Sequence, residues 1–197
     1  MLKNTHPEKP VFEYSKIAKY IYIGTNMCCQ PHFSKSLLKK GIKADISLEE
    51  IKLDKPFGVE YYLWLSTKDH KAPSFKQLII GGNFIKLLID NKIKVYIHCQ
   101  HGHARSFSLV TAYFIIIGMS VKEAIGFIKK KRPNEHLNKY QEQALINFYI
   151  NKKEVKQNGN KNSMESICMD FNNLRFISLF NWMDGLISRN CILEHTK

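Results

Sequence analysis

Residues 94–117 read KVYIHCQHGHARSFSLVTAYFIII, and this stretch decides the fold that we expect. Residues 94–98 form a short apolar run typical of a buried strand, and residues 105–117 form a longer apolar run that predicts a helix. Between them a cysteine, a glycine and an arginine follow the spacing C-x2-G-x2-R. We therefore predict a strand–loop–helix unit with Cys99 at the end of the strand.

The loop 99–105 is suited to bind a phosphate group. A seven-residue arc that enters a helix turns successive backbone N–H groups inward, and the N-terminus of the helix adds partial positive charge. Gly102 lets the arc curve without a side chain in the way. We expect the phosphate to be bound by the backbone of Gln100, His101, Gly102, His103 and Ala104 and by the guanidinium of Arg105, whose planar fork matches two phosphoryl oxygens.

Cys99 is the candidate nucleophile of this loop. The positive electrostatic potential of the loop, which attracts a phosphate, also favours the thiolate of Cys99 over the thiol. A thiolate beside phosphorus is a nucleophile. We expect the Ser106 hydroxyl to bond the sulfur and to help the thiolate leave when a phosphocysteine breaks down. We expect His98 to support the loop through hydrogen bonds. The less favoured alternative is a buried structural cysteine at a strand end.

The motif H-C-x2-G-x2-R-S over residues 98–106 resembles the loop of the protein-tyrosine phosphatase superfamily. The similarity extends over about residues 16–150 and is greatest to the compact atypical dual-specificity phosphatases. That group includes phospholipid-directed members related to phosphatidylglycerophosphate phosphatases. The resemblance implies metal-independent hydrolysis of phosphomonoesters through a cysteinyl-phosphate, with no cofactor.

The resemblance also implies a general acid on a separate loop. In the dual-specificity group an aspartate lies about thirty positions before the cysteine, and Asp69 is thirty positions before Cys99 in a polar loop after a predicted strand. We assign Asp69 as the general acid and then as the base for water. Residues 132–134 resemble the arginine–proline element of the family. Gln141 and Gln143 compete for the place of the water-positioning glutamine of some relatives.

Strands alternate with helices along the chain, which predicts an α/β domain. We expect a small, mainly parallel, twisted sheet of four to five strands flanked by helices. Capping boxes at Ser74/Gln77 and Ser120/Glu123 mark two helix starts. We assign residues 1–15 to a polar lead-in, 16–150 to the phosphatase domain, and 151–197 to a C-terminal extension. The extension begins with a polar linker.

The apolar part of this extension is residues 171–187. Its apolar side chains cluster roughly on one side of a helix. We favour a helix that docks on the domain, or a poorly ordered extension, over an interfacial membrane anchor, because few lysines flank the segment.

Composition and cysteine usage favour a reduced, cytoplasmic protein without a transmembrane segment. The longest apolar run, residues 109–119, is too short to cross a bilayer, and the first ten residues lack the apolar core of a secretory signal. The five cysteines include the adjacent pair Cys28–Cys29, which argues against a disulfide framework. No C-x-x-C pair is present, so the sequence does not indicate a zinc site, and we expect no metal.

The net charge of +13 favours anionic partners. Only four of the thirty basic residues are arginines, and we expect no stable nucleic-acid complex. The first-choice substrates are proteins carrying phosphotyrosine and phosphoserine or phosphothreonine. A phosphoinositide, a phospholipid or an RNA 5′ end is the alternative, if His101 and His103 face the pocket rim, although we favour solvent-facing histidines. A catalytically silent phosphate-binding module is the third hypothesis.

Overall fold

A computed structural model describes residues 10–133 and 136–159. The strands are β1 (Tyr14–Lys16), β2 (Ile21–Thr25), β3 (Ile42–Ser47), β4 (Tyr61–Trp64) and β5 (Lys94–Cys99). The helices are α1 (Lys35–Lys39), α2 (Phe75–Asp90), α3 (Ala104–Ile116), α4 (Val121–Lys129) and α5 (Lys139–Gly159), and a 3-10 turn covers Asn26–Cys28.

The strands form one five-stranded sheet in the order β1-β2-β5-β3-β4. Only β1 is antiparallel to its neighbour, and all other pairs are parallel. The predicted class, a small and mainly parallel α/β sheet, is therefore confirmed. Because β5 lies in the middle, its carboxyl end is at the centre of the sheet edge where α/β proteins place their ligands.

The central strand β5 contributes to two apolar clusters. Val95 and Ile97 belong to the larger cluster, which also contains most of α3, whereas Tyr96 belongs to a smaller cluster around Phe33. Successive side chains of a strand point to opposite faces, so this alternation means that both faces of the sheet are covered. Such burial explains why β5 reads as a nearly continuous apolar run.

The helices α2 and α3 approach each other closely at a glycine. A Cβ built on Gly81 would lie 2.6 Å from Cδ1 of Leu109 and 2.7 Å from Cδ1 of Leu65. Every residue of α3 from Arg105 to Ile115 is buried. The helix that begins at the phosphate loop is therefore enclosed in the core. Both predicted capping boxes, at Ser74 and at Ser120, are present.

Two elements differ from the sequence prediction. The short strand β1 was not predicted, because three residues carry too little pattern to identify a strand. The linker predicted from residue 151 onward is wrong for residues 151–159, which continue α5. Within this stretch, Lys152 Nζ donates to the carbonyl oxygens of Ile115 and Ile116 at the end of α3.

The remainder of the C-terminal extension, including residues 171–187, lies outside the described residues. Among the helices that the structure does describe, none combines the length and the apolar character needed to cross a membrane.

Candidate active site

The loop after β5 bends at Gly102. This glycine has φ of +66°, a left-handed conformation that disfavours other residues. A Cβ at this position would lie 2.3 Å from the carbonyl oxygen of Gly24 in β2. The loop therefore packs directly against β2, and both the backbone angle and the available space require glycine. Gln100, His101 and His103 complete the loop, and α3 begins at Ala104.

Cys99 is the last residue of β5 and lies at the floor of this loop. Its side chain is buried, with 3% of the residue exposed. The Sγ atom is 3.5 Å from Oγ of Ser106, which is fully buried in the first turn of α3. The structure thus brings together the two groups that the sequence pairs for formation and breakdown of a phosphocysteine.

The guanidinium of Arg105 is fixed on one side and faces carboxylates on the other. Nη1 donates to the carbonyl oxygens of Leu48, at 3.2 Å, and of Thr67, at 3.0 Å. Nη2 lies 3.1 Å from Oδ1 of Asp69 and 3.6 Å from Oε1 of Glu49. The arginine therefore links the phosphate loop to the loop that carries the predicted general acid.

Glu49 is a site residue that the sequence analysis missed. It is buried at 7% exposure directly after the leucine that follows β3. Burial raises the pKa of its carboxyl, although Arg105 opposes this shift. One feature of the sequence could have identified Glu49 as a site residue. It lies just beyond the carboxyl end of a predicted parallel strand, at the edge of the sheet where ligand-binding side chains are found.

The loop that carries Asp69 is held by α5 and by the residues before it. Nδ2 of Asn138 donates to the carbonyl oxygen of His70 at 2.8 Å, and Nε2 of Gln141 donates to that of Lys71 at 3.1 Å. The Asp69 side chain itself is half exposed. Gln141 is fully buried, and its contact with this loop distinguishes it from the competing Gln143.

The other candidate, Gln143, donates to Oδ1 of Asn147, one helical turn further along α5. This contact lies on the exposed side of the helix. Gln141 is therefore the glutamine that supports the acid loop.

Arg132 supports the phosphate loop from behind. Its Nε donates to the carbonyl oxygen of Gly102 at 3.1 Å. Its Nη2 is 2.6 Å from Oε1 of Glu13, and its Nη1 donates to Oγ of Ser15 at 3.3 Å. The arginine that the resemblance singled out thus ties the loop to the β1 region rather than pointing at substrate.

His98 is fully buried beneath the loop. Its Nε2 lies 3.4 Å from Oδ1 of Asp45, 3.6 Å from Oδ2 of Asp54 and 3.5 Å from Sγ of Cys29. Burial lowers the pKa of the imidazole, but Asp45 and Cys29 outweigh burial and raise it well above its ordinary value. These three partners belong to other segments and not to loop 99–105.

The two loop histidines are partly buried and neighbour a third. The ring centroids of His101 and His103 are 6.4 Å apart, and those of His103 and His136 are 5.6 Å apart. This grouping places several imidazoles beside the phosphate loop, on the side of the residues that precede α5.

The fold and the site together have the arrangement of the cysteine-based phosphatase class: a cysteine at the end of a central parallel strand, a tight glycine-containing loop and an arginine in the first turn of the next helix. A family model described as the dual-specificity phosphatase catalytic domain matches residues 21–151, and the chain belongs to this family.

Individual relatives agree with this membership. The chain is 27% identical over 133 residues to the tyrosine-protein phosphatase yvh1 of Schizosaccharomyces pombe, a match that covers 66% of this chain and 40% of that protein. The crystal structure of PTPMT1 is similar with a TM-score of 0.61 and 26% identity, covering 76% of this chain and 100% of that one. Human DUSP28 shares the fold, with a TM-score of 0.64, 16% identity and coverage of 71% and 98%.

Proposed function

We propose that this chain hydrolyses phosphomonoesters through a covalent intermediate on Cys99. The observation that carries the proposal is the 3.1 Å contact between Nη2 of Arg105 and Oδ1 of Asp69. This contact supports Asp69 as the acid, because its carboxyl lies beside the guanidinium that we expect to bind the phosphate of the ester. The oxygen of the leaving group takes up a proton as its bond to phosphorus breaks, so an acid is needed close to the bound phosphate.

The reaction proceeds in two displacements at phosphorus. In the first, the Cys99 thiolate attacks phosphorus, the P–O bond to the leaving group breaks, and Asp69 gives its proton to the departing oxygen. In the second, the Asp69 carboxylate takes a proton from water, the water oxygen attacks phosphorus, and the S–P bond breaks. Ser106, 3.5 Å from the sulfur, stabilises the thiolate that leaves.

The two terminal nitrogens of Arg105 have different roles in this mechanism: Nη1 fixes the guanidinium in place, and Nη2 binds the phosphate. The hydrogen bonds of Nη1 to two backbone carbonyls fix the plane of the guanidinium before substrate arrives. Nη2 faces Asp69 in the free protein, and the phosphate takes over this donor on binding. Binding of substrate thereby releases the Asp69 carboxyl from its ion pair with Arg105.

The test is hydrolysis of an aryl phosphate in the presence of a chelator. Cys99→Ser should abolish turnover, whereas Cys191→Ser, a change at a cysteine that the mechanism does not use, should leave it unchanged. Mass spectrometry of rapidly quenched protein should find a phosphate on Cys99. Full turnover by Cys99→Ser would contradict the mechanism, and phosphopeptide binding without turnover by the wild type would instead support the silent module.

Phosphorylated proteins are the substrates that we favour, with both phosphotyrosine and phosphoserine or phosphothreonine accepted. The family to which the chain belongs and its similarity to a tyrosine-protein phosphatase support this choice. A panel of phosphopeptides, phosphoinositides, phosphatidylglycerophosphate and 5′-triphosphate RNA separates the candidates. A higher kcat/KM for any lipid or RNA than for every peptide would contradict a protein substrate.

A lipid phosphomonoester is the second candidate, supported by an apolar loop beside the site. Between β3 and β4, Ile51 is 93% exposed, Leu53 61% and Phe57 72%, with lysines interleaved. The same segment touches the acid loop, because Oε2 of Glu50 accepts from the Asp69 amide at 3.2 Å. Apolar side chains with adjacent cations suit an anionic membrane surface.

The likeness to PTPMT1, which has also been solved in complex with PI(5)P, supports the same candidate. Sedimentation with phosphoinositide vesicles tests it. Ile51→Ser with Leu53→Ser should weaken vesicle binding and lipid turnover while leaving aryl phosphate hydrolysis unchanged. Equal loss of both activities would contradict a role in membrane docking.

A further inference from the structure

Four potential metal ligands converge in the buried layer beneath the phosphate loop. Cys28 and Cys29 lie at the end of the 3-10 turn, Asp45 lies within β3, and His98 lies within β5. One ligand atom from each falls within 4.8 Å of those of the other three, and all four residues are buried. We call this group the cysteine–histidine cluster.

The separations within the cluster suit a small tetrahedral ion. Nε2 of His98 lies 3.5 Å from Sγ of Cys29 and 3.4 Å from Oδ1 of Asp45. Ligands held at about 2.0–2.3 Å from one zinc ion are separated by such distances. The Sγ atoms of Cys28 and Cys29 are 2.8 Å apart and would have to separate by about 1 Å when the ion binds.

An unsatisfied carboxylate provides an independent indication of a cation. Asp45 has no solvent exposure, and within the described residues neither of its oxygens accepts a hydrogen bond; Oδ1 instead faces Nε2 of His98 at 3.4 Å. A buried charge without hydrogen bonds is costly, and a cation between the carboxylate, the imidazole and the thiols removes that cost.

We propose that Cys28, Cys29, Asp45 and His98 bind one zinc ion. Two thiolates and one carboxylate with Zn²⁺ leave a net charge of −1, as in the common Cys3His sites. Soft sulfur ligands exclude Ca²⁺ and Mg²⁺, which take oxygen. The ion is structural and takes no part in phosphate transfer: it joins the 3-10 turn, β3 and β5 under the loop. The sequence offered no C-x-x-C spacing because three separate elements supply the ligands.

Metal content of the purified full chain tests the proposal. Protein expressed with added zinc and dialysed should contain about one zinc per chain by mass spectrometry of the metal. Asp45→Asn keeps the shape of the side chain and should weaken zinc binding at least about tenfold. The matched control is Asp54→Asn, because Asp54 also lies near His98 but is outside the ligand set. It should retain the metal, as should Cys99→Ser.

Cobalt provides a second readout that does not depend on activity. Co²⁺ bound by two thiolates should give an intense sulfur-to-cobalt charge-transfer band, which Cys29→Ser should weaken. If these variants fail to fold, the wild type alone can test the proposal. Metal-free wild type is refolded with and without zinc, and zinc should raise its Tm. Metal-free wild type whose Tm zinc does not raise, or equal zinc retention by Asp45→Asn and Asp54→Asn, would overturn the proposal.

Discussion

At the scale of single residues, Gly102 determines the shape of the phosphate loop. Gly102→Ala adds a Cβ 2.3 Å from a backbone oxygen at a positive φ, so we expect a loss of at least about 2 kcal/mol of stability and a sharp loss of turnover. Chemical denaturation and aryl phosphate hydrolysis measure the two effects. The matched control is Gly126→Ala in α4, where a Cβ meets no atom within 4 Å.

The control should gain roughly 0.5–1 kcal/mol, because alanine loses less backbone entropy than glycine on folding into a helix. Equal stability changes at the two positions would show that the loop tolerates a side chain at residue 102.

Asp69 is the second residue whose role a single substitution can test. Asp69→Asn keeps the size of the side chain but removes the transferable proton, so we expect kcat to fall by about 10²–10⁴-fold for a poor leaving group. KM should not rise, because Arg105 and the loop backbone bind the phosphate and the carboxylate that competes for Nη2 of Arg105 is gone. The defect should shrink for a substrate whose leaving group needs no proton, such as a nitrophenyl ester. An equal defect for both esters would contradict the general-acid assignment.

At the scale of elements, sequence patterns found the helices and strands with long or well-capped signals. The capping boxes at Ser74 and Ser120 and the apolar run of β5 each depend on local chemistry that a sequence displays. The strand β1 depends instead on antiparallel pairing with β2, and the last turns of α5 depend on contacts with α3. Such nonlocal contacts leave almost no trace in the sequence of the segment itself.

The same contrast holds within the site. Cys99, Arg105 and Ser106 are close in sequence, so one motif predicted their proximity. Asp69 was located through a family spacing. Glu49 lies fifty-six residues before Arg105, and no spacing rule joined it to that arginine.

Lys152 connects the second half of α5 to the end of α3. Lys152 Nζ donates to carbonyl oxygens at the C-terminus of α3, where a cation also meets the negative end of the helix dipole. We expect Lys152→Met, which keeps the apolar stem, to lower stability by about 1 kcal/mol and Tm by about 2–4 °C. The exposed Lys122→Met serves as the control. An unchanged Tm for Lys152→Met would mean that this contact contributes no net stability.

At the scale of the whole molecule, a buried carboxyl makes stability depend on pH. Burial raises the pKa of Glu49 above its ordinary value of 4.5, so the native state binds its proton more tightly than the unfolded chain does. The contribution of Glu49 to stability therefore falls as pH rises from 4.5 towards the native pKa and stays lower above it.

We expect Glu49→Gln to remove this loss of stability with rising pH, because glutamine does not titrate. The Tm of the variant minus that of the wild type should be larger at pH 7.5 than at pH 4, as measured by calorimetry at both values. A difference that shrinks as pH rises would show that the attraction to Arg105 outweighs burial.

The contacts of Arg132 with Glu13 and Ser15 determine how far the N-terminus can be truncated without disturbing the phosphate loop. The family match begins at residue 21, yet Arg132 reaches Glu13 and Ser15, and the Thr25 amide donates to the carbonyl oxygen of Glu13. A chain trimmed to the match would retain Arg132 but lose Glu13 and Ser15, the side chains that hold Arg132 in place behind Gly102. We expect the trimmed chain to have low activity on every phosphate ester. That low activity would result from the loss of β1 and not from an unsuitable choice of substrate.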